Sequence, residues 1–68
     1  MNAGKLLSQR LKTLIKERKT TAEKVAFEAD ISKSYLSAVL RCKKSPTVRT
    51  LEKIATALEL DIRDLFGG

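Results

Sequence analysis

The sequence predicts an all-α fold: five helices in one compact domain spanning residues 1–68. Three observations carry that expectation. Apolar residues recur at the i, i+3, i+4 spacing of a helix in each stretch between breaks. The breaks are short and hold caps and turns, with no linkers, repeats or low-complexity tracts. A chain of 68 residues with a 43% hydrophobic share and 32% charged residues suits one small globular core and has no room for a second.

The first helix is expected over about 5–18, where Leu7, Leu11, Leu14 and Ile15 form one stripe with Lys and Arg on the other faces. Residues 1–4 are expected to be frayed. Thr20 and Thr21 stop the pattern. Thr20 with Glu23 fits a capping box, and Thr21 is an equally good N-cap for the second helix. That helix, about 22–28, sets Val25, Ala26 and Ala29 on one side. Asp30 tolerates a left-handed backbone, Ile31 plugs the angle, and Ser32 caps the third helix. The third helix runs over about 33–41 with Tyr35, Leu36, Val39 and Leu40 facing inward, and small Ala26 and Ala29 let the pair approach closely. Residues 21–40 thus read as a helix-turn-helix, a motif whose second helix enters the DNA major groove.

Residues 41–46 form a basic loop in which Pro46 disfavours helix at Ser45. Thr47 then caps a fourth helix carrying Val48, Leu51, Ile54, Ala55 and Leu58, and Leu60 enters the core from the connection. Asp61 and Asp64 open a final turn or two with Ile62, Leu65 and Phe66. The expected core is Leu7, Leu11, Leu14, Val25, Ala26, Ile31, Leu36, Val39, Val48, Leu51, Ile54, Ala55, Leu58 and Leu65. At about 1.5–3 kcal/mol for each large apolar side chain, its gross gain is comparable with the chain entropy, so dimerisation would relieve a marginal monomer.

Fourteen Lys and Arg against eight Asp and Glu give a net charge of +6 and a pI near 9.8. That is the electrostatic footprint of a nucleic-acid binder, or else of a merely solvated basic surface. Residues 5–24 hold seven basic and two acidic side chains, residues 31–53 six and one, and residues 54–68 one and three. The C-terminus is therefore expected to face something other than the polyanion. Cys42 is the single cysteine and there is no histidine, so neither an internal disulfide nor a thiolate–imidazole metal site is expected. No nucleophile–base pair or pocket-sized chain supports an enzyme, and no cofactor or small-molecule ligand is expected. The apolar runs are too short for a bilayer and no secretory segment stands at the N-terminus, which makes a cytoplasmic protein the expectation.

The ordered set Thr21, Val25-Ala26, Ala29, Ile31 to Ser37, Lys43, Pro46, Thr50-Leu51, Lys53 to Ala55, Ala57-Leu58 and Asp64 to Phe66 resembles the Cro/cI-type (XRE-type) helix-turn-helix proteins. The resemblance covers about 6–66. It implies a five-helix, lambda-repressor-like DNA-binding domain that commonly acts as a homodimer on a palindromic or repeated site. Ala22 stands where the family often has a phosphate-contacting Gln, Asp30 where it often has Gly, and Leu40-Arg41-Cys42 replaces a Glu-Arg-Gly or Glu-Asn-Gly run. The Glu of that run commonly pairs with an Arg late in the first helix. Ile15 and Leu40 hold those two positions here, a swap that removes charges needing desolvation and keeps the fold.

The third helix, taken as about 32–41, presents Lys33, Ser34, Ser37 and Ala38 as candidate base contacts. Lys33 can donate to guanine O6 and N7, Ser34 and Ser37 serve several bases, and Ala38 meets a thymine methyl or makes room. A lysine at a helix start also has a plain reading as solvated charge opposing the helix dipole. Candidate phosphate contacts are Thr21, Ala22 and Lys24 at the start of the second helix, Tyr35, then Arg41, Lys43, Lys44, Thr47 and Arg49. Tyr35 is expected both to pack its ring and to point its hydroxyl outward. Arg10, Lys12, Lys16, Arg18 and Lys19 suit either DNA or a solvated helix face. Ile62, Leu65 and Phe66 are too many large apolar residues for a chain end unless some close the core and the rest form a dimer interface. The expected function is a sequence-specific regulator of transcription on double-stranded DNA. The competing expectation is a protein-interaction module on the same fold, such as an antitoxin.

Overall fold

In the computed structural model, which describes residues 3–66, the chain forms α1 (Ala3–Glu17), α2 (Ala22–Glu28), α3 (Lys33–Leu40), α4 (Val48–Ala57) and a closing 3-10 helix (Ile62–Phe66). The fifth element is thus a 3-10 turn rather than an α-helix. The frayed start expected over residues 1–4 is corrected for Ala3 and Gly4, whose backbone is helical; Met1 and Asn2 lie outside the described residues. α3 stops at Leu40, with Arg41 as its C-cap.

Side-chain caps set the starts of three helices. The hydroxyl of Thr21 accepts from the Lys24 amide at 3.1 Å, which settles the choice between Thr20 and Thr21 in favour of Thr21. Ser32 accepts from Tyr35 at 3.0 Å and Thr47 from Thr50 at 3.1 Å in the same way. At the 3-10 helix the Asp64 carboxylate accepts from the Asp61 amide at 3.1 Å. Asp61 in turn accepts from the Arg63 amide at 2.9 Å; that bond first, and the Arg63 guanidinium second, hold its carboxyl below the ordinary carboxylate value.

The helix ends share one device. Lys19, Asp30, Cys42 and Glu59 have φ of 54°, 58°, 61° and 58°, each two residues past the last residue of its helix. The following amide then reaches back to a carbonyl five residues earlier: Thr20 to Ile15 at 3.2 Å, Ile31 to Ala26 at 3.0 Å, Lys43 to Ala38 at 2.8 Å and Leu60 to Ala55 at 2.8 Å. These are Schellman closures, and none uses glycine.

α2 packs on α3 and α4, α1 on α3, and the 3-10 helix bridges α1 and α4. Their shared core holds Leu11, Leu14, Ile15, Val25, Ala26, Ala29, Leu36, Val39, Leu51, Ile54, Ala55, Leu58 and Leu65. Ile15 and the half-buried Leu40 pack on this one core, as the exchange of an ion pair for apolar residues requires. Leu7 and Ile31 are half-buried at its margin rather than inside. Val48 is corrected outright: it is 65% exposed. It is the first residue of α4 and lies one turn beyond the buried line that starts at Leu51.

Candidate nucleic-acid interface

α3 owes its placement to Leu36 and Val39, which are buried against α1 and α2. The helical repeat turns the rest of its surface outward. There Lys33, Ser34, Ser37 and Ala38 line a shallow depression with Arg41 and Lys43. The four candidate base contacts therefore share one surface with two of the candidate phosphate contacts. Lys33 and Ser34 are exposed, and Ser37 and Ala38 are half-buried on the floor. Among the described residues neither Arg41 nor Lys43 has an ion-pair partner.

The other phosphate candidates are placed less uniformly. Thr21 and Thr47 spend a hydroxyl lone pair on their caps, and the Thr47 hydroxyl also lies 3.0 Å from that of Thr50. Ala22 is half-buried against the core, while Lys24 is exposed. Tyr35 packs its ring on the core, and the Lys44 ammonium sits 5.8 Å from the ring centroid, in cation–π range. Arg49 is not brought to the α3 depression. It lines a separate groove with Glu28, Asp30, Glu52 and Lys53, where acidic neighbours surround it.

Of the three residues expected at a dimer interface, Leu65 is withdrawn, because it is 0% exposed and closes the core. Ile62 is half-buried, and Phe66 is 63% exposed. Arg10 is taken from the ambiguous basic face of α1: its Nε donates to the Asp64 carbonyl at 3.2 Å and ties α1 to the chain end.

Three features escape a reading of the sequence. Lys33 Nζ lies 3.3 Å from Glu23 Oε2, joining the first turns of α2 and α3. The signal is an acidic and a basic residue, each in the first turn of its helix, but only the helix crossing makes them neighbours. Ser8, polar surface by its sequence pattern, is buried; its hydroxyl donates to the Lys5 carbonyl at 3.1 Å and lies 3.0 Å from Cys42 Sγ. Phe27 is 85% exposed on α2. No helix among the described residues is long and apolar enough to cross a membrane.

A family model described as helix-turn-helix matches residues 11–65. The chain is 38% identical over 61 residues to the immunity repressor protein of Bacillus phage phi105, a match covering 90% of this chain and 42% of the relative. It is 31% identical over 62 residues to the HTH-type transcriptional regulator SinR of Bacillus subtilis, covering 90% and 56%. The chain thus spans about half the length of these curated relatives. The solved restriction-modification controller protein C.AhdI from Aeromonas hydrophila superposes with a TM-score of 0.88 at 29% identity, covering 91% of this chain and 94% of that one. The sequence match, the caps that set α2 against α3, and the shared fold agree: the chain belongs to the helix-turn-helix family of Cro/cI (XRE) type.

Proposed function

We propose that this domain is a sequence-specific, double-stranded-DNA-binding regulator of transcription that acts as a homodimer in the cytoplasm, with α3 in the major groove. The observation that carries the reading is the depression on α3. Polar and cationic side chains line its outer face while Leu36 and Val39 anchor the inner one. An α-helix with that division of faces fits a major groove about 12 Å wide and meets base edges with its first turns. The net charge of +6 supplies the phosphate attraction. The relatives support regulation rather than catalysis, since one is an immunity repressor and another a transcriptional regulator.

Lys33, Ser34, Ser37 and Ala38 read bases in this arrangement. Arg41, Lys43, Lys44 and Lys24 hold phosphates. Ile62 and Phe66 join two copies. In such a dimer two α3 helices reach successive major grooves, about one helical turn apart. Selection from a random duplex library at about 150 mM salt, where non-specific binding is weakened, tests the reading. Two related half-sites in the bound pool are the expected result. A pool that stays random would instead favour the protein-interaction reading, which half-buried, apolar Ala22 and the small side chains Ser34, Ser37 and Ala38 on α3 support.

A further inference from the structure

We infer that Glu23 is a specificity-determining positioning residue: it holds the Lys33 ammonium to base edges and away from the phosphate backbone. This rests on the DNA-binding reading above and adds a residue that faces DNA with the wrong charge for affinity. The pair spans 3.3 Å between side chains that are 68% and 73% exposed, Lys33 on the first residue of α3 and Glu23 on the second of α2. An exposed pair of this kind contributes little to stability. Its effect lies in where the ammonium sits and in the charge it presents.

Three cations border or line the depression: Lys33, Arg41 and Lys43. Of these three, only Lys33 has an ion-pair partner among the described residues. Arg41 and Lys43 present full positive charge and suit phosphates. Lys33 with Glu23 presents a donor whose net charge is close to zero. A phosphate oxygen brought to that ammonium also meets the Glu23 carboxylate, a like charge within a few ångströms, and is repelled. Guanine O6 and N7 carry only partial charge and meet a much weaker repulsion. An ammonium has three N–H donors. One is directed at Glu23, which leaves two for the two guanine acceptors and biases the long lysine stem toward them before DNA arrives. Without the carboxylate, a four-carbon stem would let the ammonium reach the backbone of any sequence.

The test compares the wild-type protein, Glu23→Gln, Lys33→Ala and the double variant by library selection and by titration of one selected and one scrambled duplex. Thermal unfolding of each protein separates folding loss from loss of specificity. Glu23→Gln is expected to bind the scrambled duplex more tightly with a steeper salt dependence, by about one in slope, because Lys33 is released to a phosphate. It is expected to reduce the ratio of specific to non-specific affinity by about 5- to 10-fold and to blur the same base position that Lys33→Ala blurs. In the Lys33→Ala background, Glu23→Gln should move both duplexes together and leave the ratio alone. If Glu23→Gln tightens binding to both duplexes equally in the wild-type background, Glu23 is only a general repulsive charge and the inference falls. It falls equally if Glu23→Gln still lowers base preference when Lys33 is absent. A wild-type pool with no motif would overturn the DNA-reading function itself and this inference with it, whereas a wild-type motif unchanged in Glu23→Gln overturns the inference alone.

Discussion

Lys33 and Lys43 border one depression but have different surroundings. Lys33 is paired, and it stands in the first turn of α3, the part that the proposed complex brings to base edges. Lys43 follows the helix end; its amide closes α3 on the Ala38 carbonyl at 2.8 Å and its side chain is exposed. Lys33→Ala is therefore expected to relax one base position, with a loss of discrimination of about 1–3 kcal/mol. Lys43→Ala should weaken all sequences about equally and flatten the salt dependence by about one in slope. Competition titrations against single-base variants of the selected site measure both. A uniform loss for Lys33→Ala would remove it as a base reader. Tyr35 ties a candidate phosphate contact to the core, since its ring packs on the core and Lys44 lies over it. A cation over a half-buried ring is placed by the packing beneath that ring.

The helices begin and end by different chemistry. Their starts are legible because a Ser or Thr hydroxyl reaching an amide three residues on leaves a compact signature, and Ser32 and Thr47 do what their positions imply. Their ends are mostly not, because glycine, the usual marker, is missing from all four. Only Asp30 can be read, its short polar side chain being tolerant of the left-handed region. Lys19 and Glu59 bear a Cβ there at a cost of about 1 kcal/mol each. Lys19→Gly and Glu59→Gly should each stabilise the domain by about 0.5–1 kcal/mol, seen as a higher urea midpoint at unchanged slope. Lys12→Gly, at an exposed position in the middle of α1, should shift the midpoint the other way. A loss of stability on Glu59→Gly would mean that the αL strain there is already offset by contacts of the side chain. The same limit explains the misplaced Val48: periodicity gives the face of a helix but not how far the neighbouring helices extend along it. The outer face of α3 needs only that helix's own repeat and can be read. The Glu23–Lys33 pair needs the angle between two helices and cannot.

At the scale of the molecule, the C-terminal segment closes the core with one residue and offers its neighbour to the proposed dimer interface. Leu65 is fully buried and closes the core between α1 and α4, while Phe66 next to it stands 63% exposed and Ile62 is half-covered. The Arg10–Asp64 hydrogen bond fixes this segment on α1, so Phe66 is presented from a tethered turn. Two protomers of +6 repel each other, and the segment after residue 53, with three acidic residues to one basic, is where they can approach at least electrostatic cost. Phe66→Glu is accordingly expected to weaken dimerisation by about 2 kcal/mol or more, roughly 30-fold, with little change in the thermal midpoint of the monomer. Leu65→Ala should instead lower that midpoint through a core loss of about 2–5 kcal/mol. Sedimentation equilibrium and thermal unfolding of both variants separate the two roles. Added salt gives an independent check, because it screens protomer repulsion and DNA attraction alike: dimerisation should strengthen as DNA affinity falls. In Phe66→Glu, binding to a two-half-site duplex should drop toward that of a single half-site. Unchanged association would place the interface elsewhere, with exposed Phe27 of α2 the next residue to substitute.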